Sequence, residues 1–489
     1  MNPRDRSLLI QAVNAFNAGD VDRASDHCAA YLKVSPKCPE GWRLCARIRT
    51  RQSKWDAAAD ALVKARTFAP GEVSIVVAQA QLLLRRGQHA EAIACLEREY
   101  RRAEAHVELR RTLAEAYRRA GNLSKALATI QSLDDAESRL IEGEILANLG
   151  DAQAAELALA HGLAQSPDAH VASRLHWRLG ELRERQNDLV GAFEHFAQSK
   201  AATPARFDWA TFRAQCERIR ACFTSEQFAR WAPSTVRSRR PVFIAGLPRS
   251  GTTLLERQIA AHPSGAGAGE TEALNAQVES WRHASVPSAC WPLFCRGFLA
   301  RDFELVAQTY LQHTDVYAGP GVERIADKHL SNWLHVGLIA AVFPQATIID
   351  LERDPMDTGL SCFERLQNSA MPWAASLDGV GEMLAHHDAM MQHWRRVLPG
   401  RLVHLRYEDL VRDTRTHLGA VLEATGVPWN DGCLAHHASR SGRREPPPTL
   451  AAEQVALPVY DSSIGRAARF ENLLAPMRSA YERVRAALA

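Results

Sequence analysis

No apolar run in the sequence approaches the roughly eighteen residues that a membrane helix needs, so nothing in it reads as a transmembrane span. The opening MNPRDRSLLIQAVNAF enters a helical pattern directly, without the apolar core and small-residue cleavage site of a secretory leader. The ten cysteines are scattered and lack the paired spacing of a metal site or a disulfide framework. A cytoplasmic, reducing location with no membrane contact is the expectation. Net charge is also scarce. Lys and Arg number 59 against 56 Asp and Glu, leaving +3 over 489 residues. Such a balance gives no support to a nucleic-acid partner, although one local basic pocket for a small anion needs no global excess. The length allows two or more domains with substantial cores.

Clusters of β-branched residues are scarce in the first 200 positions, which are rich in alanine, leucine and arginine, a helix-forming composition. Ala24, Ala58, Ala92 and Ala126 recur every 34 residues, and Gly19, Gly87 and Gly121 keep the same phase with Ser53 in the intervening slot. Pro36 and Pro70 stand one period apart. Paired antiparallel helices explain the pattern: a small residue serves the tight turn, and alanine lets the second helix approach the first. Gly150 with Ala155, then Asn187 with Ala192 and Pro204, mark two looser units. About six tetratricopeptide-like repeats are expected over 5–205, with a helical connector and basic linker over 206–239.

Past residue 240 the texture changes. VFIAG at 242–246, ATIID at 346–350 and LVHLRY at 402–407 are short β-branched runs separated by helical text, which predicts a parallel sheet covered by helices over 240–489. The first run leads into GLPRSGTTLLERQIAAH, giving strand, glycine-rich turn and helix in the order of a phosphate cradle. Here the informative absence is one lysine. Gly246 and Gly251 bracket four residues and Thr253 fills the hydroxyl position, but Thr252 stands where a nucleoside triphosphatase carries the lysine that works beside magnesium. Arg249 supplies the charge from inside the loop, and its planar fork suits the oxygens of phosphate or sulfate.

The stretches PVFIAGLPRSGTTLLERQIAAHP, GAGE and LERDPMDTGLSCF together resemble the sulfotransferase superfamily, and most nearly its bacterial tetratricopeptide-repeat members, whose catalytic part is similar to protein-tyrosine sulfotransferases. The resemblance implies a P-loop-like α/β domain behind an α-helical repeat solenoid. It also implies 3′-phosphoadenosine 5′-phosphosulfate as donor, adenosine 3′,5′-bisphosphate as product, and no metal. Arg249, Ser250, Gly251, Thr252 and Thr253 would hold the 5′-phosphosulfate end. Arg353 and Ser361 match positions that grip the donor's 3′-phosphate, although spacing alone leaves Arg353 open to pairing with Asp354 or Asp357. Arg466, in VYDSSIGRAARF, is a third candidate for that phosphate or for the nucleotide; Ser462 and Ser463 are open to donor contact, helix capping or both.

For the transfer itself the resemblance makes Glu270 the general base and Lys328 the partner of the leaving oxygen, with Arg249 neutralising the sulfuryl oxygens. Glu272 and His329 are the alternatives for the base, the histidine because small-molecule sulfotransferases use one after a similar lysine-containing segment. One departure stands out. Ala451 occupies a position where related enzymes tend to have serine, Thr449 is the nearby substitute, and Ala456 replaces a basic residue. YEDL at 407–410 is a further family marker, with Glu408 expected to orient basic residues. The acceptor is a hydroxyl, with peptide tyrosine the leading choice and a small molecule or carbohydrate the alternative. Repeats commonly offer surfaces for peptides or other proteins. Two rival readings are a P-loop kinase or triphosphatase, prompted by IID at 348–350, and a noncatalytic repeat scaffold.

Overall fold

The computed structural model of the chain describes residues 3–17, 20–52, 54–232, 234–282, 291–365, 368, 370–437, 455 and 457–489. Gly19, Ser53, Thr449, Ala451 and Ala456 lie outside the described residues. Contacts divide the chain into two compact units, Met1–Ala202 and Thr203–Ala489.

The first unit is wholly helical among its described residues. Helices Pro3–Asn17 and Val21–Val34 form one pair, followed by Pro39–Arg51 with Trp55–Phe68, Val73–Arg85 with His89–Tyr100, and Val107–Arg119 with Leu123–Ile130. Ala136–Leu149 with Ala152–Ala164, and Ala169–Arg185 with Leu189–Ala202, complete it. The phased alanines explain the packing. Ala24, Ala58, Ala92, Ala126, Ala155 and Ala192 each sit in the first turn of a second helix and are fully buried. At the turn within a pair the backbone is left-handed, at φ +72° for Gly87, +78° for Gly121, +86° for Gly150 and +64° for Asn187. Glycine and asparagine are the residues that tolerate this conformation.

Among the described residues, the second unit is built on five parallel strands: β1 (Pro241–Ala245), β2 (Gly265–Gly269), β3 (Arg324–Asp327), β4 (Thr347–Glu352) and β5 (Leu402–Arg406). Their order is β2-β3-β1-β4-β5, so β1 is central. Val242, Ile244, Ile349 and Leu351 pack with Leu255 and Ile259 of helix Thr252–Ala260 and with Leu418 and Leu422 of helix Thr414–Thr425. Helices cover the sheet because a parallel sheet joined by right-handed crossovers is buried on both faces. Helix Trp209–Cys222 belongs to this unit, and Phe223 just after it meets Trp394 with ring centroids 5.8 Å apart. The helix Ala475–Leu488 closes the unit and packs along Leu377–Val397. No helix among the described residues is long and apolar enough to cross a membrane.

Candidate active site

The glycine loop, Glu270, Lys328 and Arg353 stand at the carboxyl ends of the parallel strands, where an open α/β sheet receives its ligands. β1 runs into the glycine loop, β2 ends beside Glu270, β3 ends beside Lys328 and β4 ends beside Arg353.

The loop after β1 is held in shape by its own groups. Ser250 N–H and Oγ donate to the Leu247 carbonyl at 3.2 and 2.8 Å, and Cys362 Sγ donates to the Pro248 carbonyl at 3.3 Å. Arg249 has φ +70°, an uncommon conformation for a side-chain-bearing residue, and Gly251 has φ +103°. A Cβ on Gly251 would lie 2.4 Å from Tyr407 Cδ2, so only glycine allows the ring to press on the loop. Gly251 is the N-cap of helix Thr252–Ala260, whose first amides and dipole face the end of β1.

Arg249, Ser361, Arg353 and Ser463 come together in one network. Arg249 Nε donates to Ser361 Oγ at 3.1 Å, while Arg353 Nη1 donates to the Arg249 carbonyl at 2.8 Å and Nη2 to the Ser463 carbonyl at 2.7 Å. The Arg353 guanidinium lies 4.7 Å from the Tyr407 ring centroid, and Tyr407 Oη shares a 2.9 Å hydrogen bond with Ser463 Oγ. Arg353 Nε is buried with no partner among the described residues. The alternative pairing of Arg353 with Asp354 or Asp357 does not occur. Asp354 caps its helix by accepting Asp357 N–H at 2.9 Å, and its own N–H donates to Glu408 Oε1 at 2.8 Å. Burial, with Arg365 and Arg353 nearby, lowers Arg249 to about 10, still a cation at neutral pH. An anion among these groups relieves the repulsion between the cations.

Arg466 is engaged differently. Its two terminal nitrogens donate to the two oxygens of Glu364 at 2.8 Å each, and Glu364 lies on the same helix as Ser361. Asp357 grips the turn that carries it, accepting Gly465 N–H at 2.6 Å and Ala467 N–H at 2.7 Å. Arg466 is thus bound to the helix of the Arg353 and Ser361 site through a bidentate ion pair.

The second group of residues centres on Lys328 and Glu270. Lys328 Nζ donates to Glu270 Oε1 in a short ion pair, with the lysine side chain 1% and the glutamate 38% exposed. Asp327, fully buried, fixes the turn after β3: it accepts His329 N–H at 2.9 Å, Asn332 Nδ2 at 3.0 Å and Tyr310 Oη at 2.9 Å. Burial raises the Asp327 carboxyl above its ordinary value, and these donors work against that rise. His329 is joined to Glu272 and not to Glu270. Its Nε2 lies 3.3 Å from Glu272 Oε1 and Ser331 N–H donates to Nδ1 at 3.2 Å, so both ring nitrogens are engaged. Burial disfavours the charged ring, but the Glu272 hydrogen bond and charge outweigh it and the histidine is raised overall. The same hydrogen bond lowers Glu272.

Three contributors are given no role in the site by the sequence, although spacing leaves Asp357 open as a partner of Arg353. Asp357 and Asp327 resemble any helix-turn or strand-end carboxylate. Glu256, on the loop helix, is 2% exposed and accepts Gly269 N–H at 2.8 Å through Oε1. The available signal was a glutamate amid apolar residues at the start of a helix that also bears Leu255 and Ile259. Asp350, in the IID run, is bound to Arg395 Nε at 2.6 Å.

Residues 241–431 match the sulfotransferase family, and residues 11–73 and 77–137 match the tetratricopeptide repeat. An uncharacterized protein of Aquifex aeolicus is 26% identical over 412 residues, 82% of this chain and 54% of that protein. Protein-tyrosine sulfotransferase 1 of Danio rerio is 24% identical over 215 residues, 41% of this chain and 57% of its own. The chain therefore spans just over half the length of these curated relatives. Among solved structures, the sulfotransferase domain from the curacin biosynthetic pathway is similar at 19% identity and a TM-score of 0.36, covering 52% of this chain and 98% of that domain. The sulfotransferase domain from the Synechococcus PCC 7002 olefin synthase gives 19% and 0.34, over 49% of this chain and 91% of that one.

Proposed function

We propose, from the match of residues 241–431 to the sulfotransferase family and the tetratricopeptide-repeat match ahead of them, that the chain moves a sulfuryl group from 3′-phosphoadenosine 5′-phosphosulfate to an acceptor hydroxyl. The observation that carries the reading is the pairing of Lys328 with Glu270 at adjacent strand ends, beside a phosphate loop whose cation is Arg249. Loop amides from Thr252 and Thr253, with Ser250 and Gly251 shaping the turn, receive the 5′-phosphosulfate. Arg353, with its free Nε, and Ser361 receive the 3′-phosphate; Ser463 and Arg466 hold the segment that closes over them.

Chemistry then needs three acts. Glu270 takes the proton from the acceptor hydroxyl as its oxygen attacks sulfur. Arg249 and the loop amides balance charge on the sulfuryl oxygens. Lys328 turns to the bridging oxygen as the bond from sulfur to the 5′-phosphate breaks, leaving adenosine 3′,5′-bisphosphate. Glu270 is favoured over His329 because it lies against Lys328, the partner proposed for the leaving oxygen, whereas His329 is joined to Glu272. Peptide tyrosine is the proposed acceptor, supported by the similarity to a protein-tyrosine sulfotransferase and by repeats able to offer a protein surface.

Calorimetry with two nucleotides tests the donor. Adenosine 3′,5′-bisphosphate should bind at least about 30-fold more tightly than adenosine 5′-monophosphate, and Arg353→Ala should erase most of that difference, as expected for one charge-assisted phosphate contact. Preference for ATP with magnesium would overturn the donor assignment. Labelled donor incubated with separated peptide and metabolite pools tests the acceptor, and label found only in small hydroxylated molecules would refute the peptide.

A further inference from the structure

Glu256 is a buried carboxyl for which the proposed chemistry has no use. It projects from helix Thr252–Ala260, the helix that opens at the phosphate loop, and reaches under the end of β2. Gly267 has to be glycine for this to happen, since a Cβ there would lie 2.5 Å from Glu256 Oε1. Oε1 accepts the N–H of Gly269, the residue just before Glu270. The carbonyl of the same Gly269 accepts Lys328 N–H at 3.0 Å. One residue thus ties the peptide before the base to the peptide of the lysine, at a point where the β2-β3 register slips between Gly267 and Gly269. A register slip leaves backbone groups without ladder partners. Glu256 satisfies one of them from the loop helix.

Resting on the reading of Glu270 as base, we propose that Glu256 is a positioning residue, whose ionised carboxylate fixes the Gly269 peptide and so presents Glu270 to Lys328. The charged groups facing Glu256 are Lys328 beyond β3, Glu270 beyond β2, and Arg257 on its own helix. Burial raises the Glu256 carboxyl to about 6, against the pull of Lys328 and Arg257. Ionised, it holds Gly269 N–H by a charge-assisted bond; protonated, it keeps only a neutral one of about half the strength. The hold on Glu270 accordingly tightens as pH rises through about 6.

Glycine-selective ¹⁵N labelling of the full chain reads this directly. In the wild type, the Gly269 amide proton should move downfield with a midpoint near pH 6. In Glu256→Gln the spectrum should otherwise be preserved and that titration lost, while Glu270→Gln should retain it. A Gly269 amide that ignores pH in the wild type, or still titrates near pH 6 in Glu256→Gln, overturns the proposal. Turnover provides the second measure, with Glu256→Gln losing about tenfold in kcat, its acid limb near pH 6 abolished and the donor KM within about twofold. A lowered plateau with the limb intact would mark a merely structural role. The two readings fail separately, because a Glu270→Gln enzyme of near-normal turnover refutes the base while leaving the Gly269 titration standing.

Discussion

Replacing Gly251 by alanine tests whether the loop, Tyr407 and Arg353 form one mechanical unit. Two costs arise. At φ +103° an L-residue pays roughly 1–2 kcal/mol of backbone strain. The new Cβ would also stand 2.4 Å from Tyr407 Cδ2 and 2.9 Å from Cε2, so the ring must retreat by about 1 Å to reach ordinary contact distance. Tyr407 cannot retreat alone, because its ring lies against Arg353 and its hydroxyl is bonded to Ser463. The control is Gly400→Ala: Gly400 has φ +74° and nothing within 4 Å of its added Cβ, so it bears the strain without the collision. Gly400→Ala should bind adenosine 3′,5′-bisphosphate as the wild type does. Gly251→Ala should lose about 2 kcal/mol of binding, a factor of about 30 in Kd by calorimetry. Equal affinity in the two variants would show that the ring contact does not support the donor site.

Arg249→Lys keeps the charge but loses the planar fork and the bond to Ser361, and turnover should fall about 10- to 100-fold in a donor-consumption assay. Asp357→Asn retains one acceptor for the turn at Gly465 and Ala467 and loses the other, so adenosine 3′,5′-bisphosphate should bind about tenfold more weakly. Glu256 has a sign in stability as well as in catalysis. Its folded-state value of about 6 exceeds the ordinary 4.5, so its stabilising contribution, about 2 kcal/mol, is complete below pH 4.5 and is lost as pH rises through 6. Denaturant titrations at several pH values should show Glu256→Gln lacking that component of the decline.

The repeat unit was legible because its signal is redundant. A small residue recurs at every turn and an alanine at every close approach, so even Asn187 could be placed in the glycine slot before its left-handed φ was known. β1, β4 and β5 were legible from their β-branched runs. β2 was not, because GAGAG has almost no side chains from which to read alternation; its strand character comes from close approach to the loop helix. β3, RIAD, is too short for a period and includes two charged residues that the fold buries. In the candidate site, Arg249 could be proposed from its place inside a glycine loop that lacks lysine, and Glu270 only through the family resemblance. Tertiary pairings could not: nothing along the chain links Arg466 to Glu364 or Glu256 to Gly269, which are brought together by helices crossing the sheet. Spacing left Arg353 open between two aspartates, whereas the fold joins it to two backbone carbonyls.

The ion pair between Lys328 and Glu270 gives the proposed reaction an order of events. Paired, the two residues occupy each other: the carboxylate oxygen that accepts from the ammonium is not turned to an acceptor hydroxyl, and an ammonium held by a carboxylate is unavailable to a leaving oxygen. A bound donor offers Lys328 a second anionic partner at the bridging oxygen. As Lys328 shifts toward it, Glu270 is released while its backbone remains fixed through Gly269. On the proposed reading, Glu270 is then free to act as base only once the sulfuryl group is in place. Arg249 adds to this order because its charge is already crowded by Arg365 and Arg353, so the site gains most from an anion that meets all three cations together. A donor with phosphates at both ends satisfies that condition, and a ligand with a single phosphate leaves Arg353 Nε without its partner.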